Sequence, residues 1–310
     1  MTLRAALVAC CTVLVLSVAP AQAQGGCDGR LIDEPGVLHT PVCVPKDPAR
    51  IVVVDPTFSL GMGLELDLPI VGAPLRLMSD RILRDEAVRR GVADLGSYFE
   101  PSIERLVALK PDLIIGSSLT DSAYPLLSQL APTLLISAGN WKTYLSRLAQ
   151  ATGREQKAAE LLAAYDARVA ALKSRIPDQR VSVVRITSWD FQVNLDAPDA
   201  YGPFSVLRDV GVRRTDYETA QGNATLKRPD WEELDNLQGN MLLYIVGGAN
   251  NSDTNGRHEE VTGNPLWRML PAVRAGRVYR VDAGTWMEFS GTTSAHRVLD
   301  DIERLIIAKP

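Results

Sequence analysis

The stretch from Thr152 to Ile176, TGREQKAAELLAAYDARVAALKSRI, decides how this chain is organised. Apolar side chains recur at Ala158, Leu161, Leu162, Tyr165, Val169, Leu172 and Ile176, the three-and-four spacing of an amphipathic helix. Thr152 and Glu155 stand at capping-box spacing, and Gly153 lets the chain turn into the helix. Lys173 and Arg175 suit the negative end of the helix dipole, and Pro177 stops it. At 1.5 Å per residue such a helix spans about 36 Å, more than the width of a small domain. Ordinary packing would account for it in isolation; the flanking segments give it a role.

Upstream, short β-branched or aliphatic runs alternate with helical segments. Ile51–Val54, Pro69–Gly72, Leu113–Gly116 and Thr133–Ile136 read as buried strands. Helices are expected from Asp55 to Leu66, from Ser102 to Leu109 behind Pro101, and from Tyr124 to Gln129. Residues 73–95 read as a polar excursion carrying Arg76, Arg81 and Arg84. Downstream the order returns. Val181–Ile186 is a strand 130 positions after Ile51, and Pro229 opens a helical segment, Trp231–Leu237, 128 positions after Pro101. Strands at Met241–Gly247 and Arg277–Val281 and a final helix over Ala295–Ile307 complete the pattern. Alternating strands and helices predict two doubly wound α/β lobes, each on a mostly parallel sheet, bridged by the long helix. The expected division is an N-terminal lobe over 24–140, a linker with the bridging helix over 141–176, and a C-terminal lobe over 177–310. Ligands of open parallel sheets bind at the carboxyl ends of the strands, which places one cleft between the lobes.

A chain of 310 residues is long enough for two such cores. Its net charge of −4 and the lack of any basic run argue against nucleic-acid binding. Residues 1–23 read as a secretory signal peptide: Arg4, an apolar run from Ala5 to Val18, and an Ala21-Gln22-Ala23 cleavage site. Leu7-Val8-Ala9-Cys10 resembles a lipoprotein box but precedes most of the apolar run, and Cys27 lacks the leucine such a box needs. Export places the mature chain in the periplasm, an oxidising compartment, with Cys27 and Cys43 left to form a disulfide. The rival, metal ligation, would need more His or Cys nearby than His39 alone.

Enzyme signatures are missing. The sequence has no GxxxxGK[ST] phosphate cradle and no GxSxG elbow, and no second His follows His258-Glu259-Glu260. Gly61-x-Gly63 lacks a third glycine. His39, His258 and His296 lie far apart in sequence.

Three stretches carry a family resemblance: PARIVVVDPTFSLGMGLELDLPIVGAP (48–74), YFEPSIERLVALKPDLIIGSS (98–118) and NPLWRMLPAVRAGRVYRVDAGTWMEFSGTTSAHRVLDDIERLI (264–306). They resemble the class III periplasmic binding proteins, which serve ABC importers of ferric siderophores, ferric citrate, haem and cobalamin. The resemblance is nearest to the iron–siderophore branch. It implies two lobes joined by one stiff helix, small closure on ligand, and no chemistry. The expected ligand is a ferric siderophore or ferric carboxylate chelate whose iron is held by the chelator, with no cofactor and no protein metal site. The expected partner is an inner-membrane importer permease, and the protein is expected to be a monomer.

Bulky anionic chelates call for Arg to neutralise charge and aromatics to cover the organic shell. By resemblance, Arg185 matches an arginine late in the first strand of the second lobe; the plain alternative is a local salt bridge. Tyr98 stands at a pocket position where some hydroxamate binders carry Arg, which disfavours a hydroxamate and leaves room for haem, since Tyr can ligate ferric iron. Trp286 matches a cleft aromatic, with Phe289 beside it, though both could be core. Position alone adds Arg76, Arg81, Arg257, Trp141, Lys142, Trp189 and Tyr201. In the family an acidic residue on each lobe pairs with transporter arginines; Glu104 matches the first, and Glu232 or Glu233 the second. The alternatives to a siderophore binder are a haem or cobalamin binder of the same fold and an exported α/β enzyme using the cleft.

Overall fold

A computed structural model describes residues 26–309; the signal-peptide reading of 1–23 lies outside them. The first lobe is built on a six-stranded sheet in the spatial order Val37–Leu38, Thr133–Ile136, Leu113–Ser117, Ile51–Val53, Ile70–Ala73, Ala93–Asp94. All neighbours are parallel except the edge strand Val37–Leu38. Ile51–Val53 and Leu113–Ser117 are buried along their whole length, as a sheet covered on both faces requires. The second lobe carries five strands in the order Leu226–Lys227, Phe191–Asn194, Val181–Ile186, Met241–Val246, Val278–Val281. Its last three are parallel, while Phe191–Asn194 and Leu226–Lys227 form an antiparallel ribbon on one edge. That ribbon is new relative to the sequence reading. Thr187 and Asp190 close the tight turn that folds Phe191 back on Ile186.

The linker differs from the single capped helix expected. It is two consecutive helices, Trp141–Thr152 and Glu155–Lys173. Thr152 ends the first, with its hydroxyl on the Leu148 carbonyl, so no capping box forms with Glu155. Gly153 adopts φ 67° and terminates that helix, a left-handed cap that glycine accepts without strain. The Trp141–Thr152 helix packs against the first-lobe sheet: Tyr144 donates to the Gly116 carbonyl and pairs with Ser59 at 2.6 Å. The bridging helix is 19 residues long and buries Ala158, Tyr165 and Leu172 on one stripe. Two other elements depart from expectation. The excursion after the second strand contains a helix, Arg81–Arg89, capped by Asp80; its arginine-rich surface masks the apolar period. The segment after Pro229 is a short 3₁₀ turn over Glu233–Asn236, led in by Asp230, whose carboxylate accepts from the Glu232 and Glu233 N–H groups.

The N-terminal segment is a hairpin, Gly29–Ile32 against Val42–Pro45, and Cys27 and Cys43 are joined with α-carbons 5.6 Å apart. His39 makes no metal site with them. It stacks on Tyr124 at 3.7 Å and bonds Asp121 at 2.6 Å.

The lobes meet along a polar seam. Glu288, from the second lobe, accepts from the Ser79 and Asp80 N–H groups at 2.8 Å each. Asp80 is buried and paired with Arg297 on the C-terminal helix Thr292–Asp301. Glu65, on the helix Gly61–Glu65, caps that same C-terminal helix by accepting from Thr292 and Thr293. Ser290 donates to the Phe58 carbonyl and accepts from the Gly61 N–H. Burial pushes the Glu65 and Glu288 carboxyls above their ordinary value of 4.5, only partly offset by these donors.

Gly61→Ala places a Cβ 2.1 Å from the Ser290 carbonyl oxygen, an overpacking expected to destabilise the fold by about 1–3 kcal/mol, read as a lower denaturation midpoint in urea. The seam also sets a pH dependence. With folded pKa values raised, the native state holds protons that the unfolded chain has released, so stability falls as pH rises from about 4.5 through the folded values. Glu65→Gln is expected to flatten that fall, whatever its effect on the baseline, in denaturation midpoints measured against pH.

Candidate functional site

The carboxyl ends of both sheets open on one cleft. Arg185 stands one residue from the end of Val181–Ile186, and its strand partner across the ribbon is Gln192. In Phe191-Gln192-Val193-Asn194, Phe191 and Val193 are buried while Gln192 and Asn194 are only partly so. That alternation turns both amides toward a basin of about 370 Å³ that Arg185 also lines. Thr57 and Phe58, from the segment after the first strand of lobe one, supply the facing wall, and Tyr201 stands beside them.

The guanidinium of Arg185 is held only loosely. It donates to Gln192 Oε1 and to the Gly247 carbonyl, both at 3.3 Å, and its buried Nε has no partner among the described residues. No carboxylate among them lies within 4.0 Å of it. Burial therefore weakens its hold on the proton, with the Tyr201 and Tyr98 hydroxyls and more distant carboxylates only partly compensating. The buried Arg214 makes the contrast: it donates to Glu218 at 2.6 Å. Behind Arg185 lies Gly248 at φ 86°, where a Cβ would sit 2.9 Å from Arg185 Nη2. A glycine is needed there both for the backbone and for the arginine's space.

Tyr201 accepts the Phe289 N–H at 2.9 Å. Burial keeps its phenol protonated far above neutral pH, so it can donate to an anionic oxygen in the basin. Tyr98 lies further along the cleft, at a constriction of about 40 Å³ shared with Met78, Met287 and Glu288. Burial, then the Glu288 charge, pushes its phenol up, against a lowering by Arg185. Beyond Met78 the cleft widens again into a groove of about 720 Å³, where Arg81 stands with Arg84 and Arg280.

The expected site residues thus separate. Arg185 and Tyr201 share a basin, Tyr98 marks the neck, and Arg81 belongs to the groove beyond. Trp189 caps the ribbon turn and is 70% exposed at the rim; Arg76 is exposed beside Ser97. Five assignments are corrected. Trp141 is buried and donates to Ser205 at 3.1 Å, its ring edge-on to Tyr165. Trp286 is buried on a short helix capped by Asp282 and donates to Asp301. Phe289 fills the space between Trp141 and Tyr201. Arg257 packs across Phe191 and Trp231 and pairs with Glu260, inside its own lobe. Lys142 pairs with Asp209 and Asp166, away from the cleft. Missed were Gln192 and Asn194, whose signal was the two-residue alternation in FQVN, and Met287 and Arg280, which have none in sequence. Glu104 is exposed on the first turn of the helix Ile103–Ala108, and Glu232 and Glu233 are exposed beside their 3₁₀ turn.

Comparison with known proteins agrees with this geometry. The periplasmic binding protein family matches residues 74–285. The chain is 31% identical over 275 residues to the probable siderophore-binding lipoprotein YfiY of Bacillus subtilis, covering 84% of this chain and 83% of that one. It is 29% identical to the Fe(3+) dicitrate-binding periplasmic protein FecB of Escherichia coli, over 88% of this chain and 89% of that one. Among solved structures, a FhuD fold-family periplasmic binding protein component of a ferrichrome ABC transporter from Bacillus subtilis superposes with a TM-score of 0.73 at 26% identity, over 86% of this chain and 97% of that one. The two α/β sheets facing one cleft, and a family match spanning most of the chain, place this protein among the periplasmic binding proteins of ABC importers.

Proposed function

We propose that this protein captures a ferric siderophore or ferric carboxylate chelate in the interlobe cleft and delivers it to an inner-membrane ABC importer. It acts in the periplasm as a monomer and catalyses no reaction. The working division is a first lobe over 24–140, a linker over 141–176 and a second lobe over 177–310. The observation that carries the reading is Arg185: a partly desolvated guanidinium on the cleft wall with no carboxylate among the described residues within 4.0 Å, Asp190, Glu288 and the basin's Asp199 all lying farther off. Such a charge is stabilised when an anionic ligand enters and excludes water around it. Tyr201, Gln192 and Asn194 add neutral hydrogen-bonding groups, and Phe58 and Met287 add apolar surface for the organic shell. The relatives named for siderophore and ferric dicitrate binding support this ligand class. The iron stays a cargo held by its chelator.

The haem alternative draws no support from Tyr98. It opens on a cavity of about 40 Å³, and its raised pKa opposes the phenolate that would ligate ferric iron.

Titration of the mature protein with ferric siderophores, ferric citrate, haemin and cobalamin, followed by tryptophan fluorescence, tests the reading. Trp189 at the cleft rim is the expected reporter. Quenching by a ferric chelate at micromolar concentration is expected; none from any of them would overturn it. Arg185→Ala is expected to weaken the bound chelate at least tenfold, about 1.4 kcal/mol, and an unchanged Kd would return Arg185 to a structural role. Glu104→Ala is expected to leave that Kd unchanged while lowering uptake in cells that depend on the importer; unimpaired uptake would remove Glu104 from docking.

A further inference from the structure

The loop over residues 247–256 joins the strand Met241–Val246 to the helix Arg257–Gly263. Of the asparagines in the sequence, Asn255 alone is followed by glycine. Gly256 stands at φ 82°, a left-handed conformation that only glycine adopts without strain, so the fold itself calls for this pair. Both residues are exposed. Asn255 Oδ1 accepts the Arg257 N–H at 3.0 Å, which ties the side-chain amide back toward the Gly256 peptide and polarises its Cγ carbonyl. The Gly256 N–H donates to nothing among the described residues, and a Cβ on Gly256 would meet nothing within 4 Å. A polarised carbon, an uncommitted amide nitrogen on the next residue and open space around them stand together.

Two other asparagines lead into helices with the same side-chain hydrogen bond. Asn264 Oδ1 accepts the Leu266 N–H at 2.9 Å, but the next residue is Pro265, whose nitrogen has no proton to lose. Asn140 Oδ1 accepts the Lys142 and Thr143 N–H groups, but the next residue is Trp141, buried and edge-on to Tyr165. Asn255 combines the hydrogen bond with a following residue that has a proton on its nitrogen, no side chain and no packing around it.

From this geometry we propose that Asn255 is a site of spontaneous covalent modification, deamidated by the nitrogen of Gly256. That nitrogen gives its proton to solvent base and bonds to Asn255 Cγ. The Cγ–Nδ2 bond breaks, and Nδ2 takes a proton from water and leaves as ammonia, closing a cyclic imide. Water then opens the ring. Attack at Cγ restores the main chain and leaves an aspartate; attack at the main-chain carbonyl carbon leaves an isoaspartyl link through Cγ. Either product adds one negative charge. The aspartate caps a helix as asparagine does, so the fold survives it. It removes a donor, however: Asn255 Nδ2 reaches Asn251 Oδ1 at 3.4 Å, and that oxygen also takes the Ser188 hydroxyl at 2.6 Å. After deamidation two oxygens face each other there. The isoaspartyl link adds a main-chain carbon just ahead of Arg257, which is packed across Phe191 and Trp231.

The test is incubation of the folded mature protein in warm, mildly alkaline buffer, with peptide mapping by mass spectrometry and an assay for ammonia. The peptide holding Asn255 is expected to convert to aspartyl and isoaspartyl forms about tenfold faster than those holding Asn140 or Asn264. The rate is expected to rise with pH, because the attacking nitrogen must lose its proton. Asn255→Ser keeps a capping oxygen and is expected to abolish this release of ammonia. A parallel sample unfolded in urea isolates the contribution of the fold. Conversion of Asn255 only after unfolding overturns the proposal, as does an Asn255 that stays an amide while Asn140 or Asn264 converts, or ammonia release undiminished in Asn255→Ser. No ligand enters these readouts, so they stand apart from the ferric-chelate titration.

Discussion

Everything about the cleft depends on one buried carboxylate. Asp80 caps the Arg81–Arg89 helix through the Leu83 N–H, pairs with Arg297 on the C-terminal helix, and gives its own N–H to Glu288. A charge pair this well enclosed gains little over apolar packing, but removing one partner alone leaves an uncompensated buried charge and costs about 3–5 kcal/mol. Its worth is in register. Asp80 fits Arg297 and Glu288 in one arrangement of the lobes, and the near contact of Gly284 with the Asp80 backbone leaves no slack for another.

The same seam decides where charge is left over. Glu65, Glu288 and Asp80 are engaged by backbone donors or Arg297 along the lobe boundary. Within the basin, Arg185 is left with a side-chain amide and a carbonyl. Arg214 in the same lobe is no less buried but carries Glu218 beside it. The difference between these two arginines is the difference between a closed ion pair and a cation left without a carboxylate within 4.0 Å among the described residues. Leaving a half-buried cation without a close carboxylate is tolerable here because Arg185 lines a basin that opens to solvent.

Much of the architecture was legible because it depends on periodicity and punctuation. Buried strands at Ile51, Leu113, Val181 and Met241 are runs no other element would explain, and the pairing of Cys27 with Cys43 was legible because they are the two cysteines outside the apolar run read as a signal peptide. What failed was local competition. Gly153 reads equally as an entry turn or a left-handed stop, and only the helix packed on Gly116 and Ser59 selects the stop. In the cleft, the place of Arg185 on the basin wall was legible because a strand end fixes both position and direction. Trp141, Trp286 and Phe289 were misplaced because an aromatic near a strand end may face the cleft or the core, and that choice lies with partners distant in sequence, such as Ser205, Asp301 and Tyr201. Met287 and Arg280 were invisible for the same reason.

The long helix therefore does not carry the rigidity of the molecule by itself. At 19 residues it is shorter than its amphipathic pattern implied, and its ends are ordinary. A single strut between two lobes would still permit bending at Gly153 and at Ile176. What opposes bending is a second connection, contributed by the run from Met287 to Thr293, which follows the short helix after the last strand of one lobe and docks through Glu288, Ser290 and Thr292 onto the other. With the lobes tied at the helix and at this strap, rotation about either one strains the other. The side chains outside both ties include Trp189 on the ribbon turn and Tyr98, stacked with Phe99, at the neck. A cleft preformed in this way suits a chelate that is already bulky, because complementarity to a large rigid ligand needs walls held apart rather than walls that fold inward.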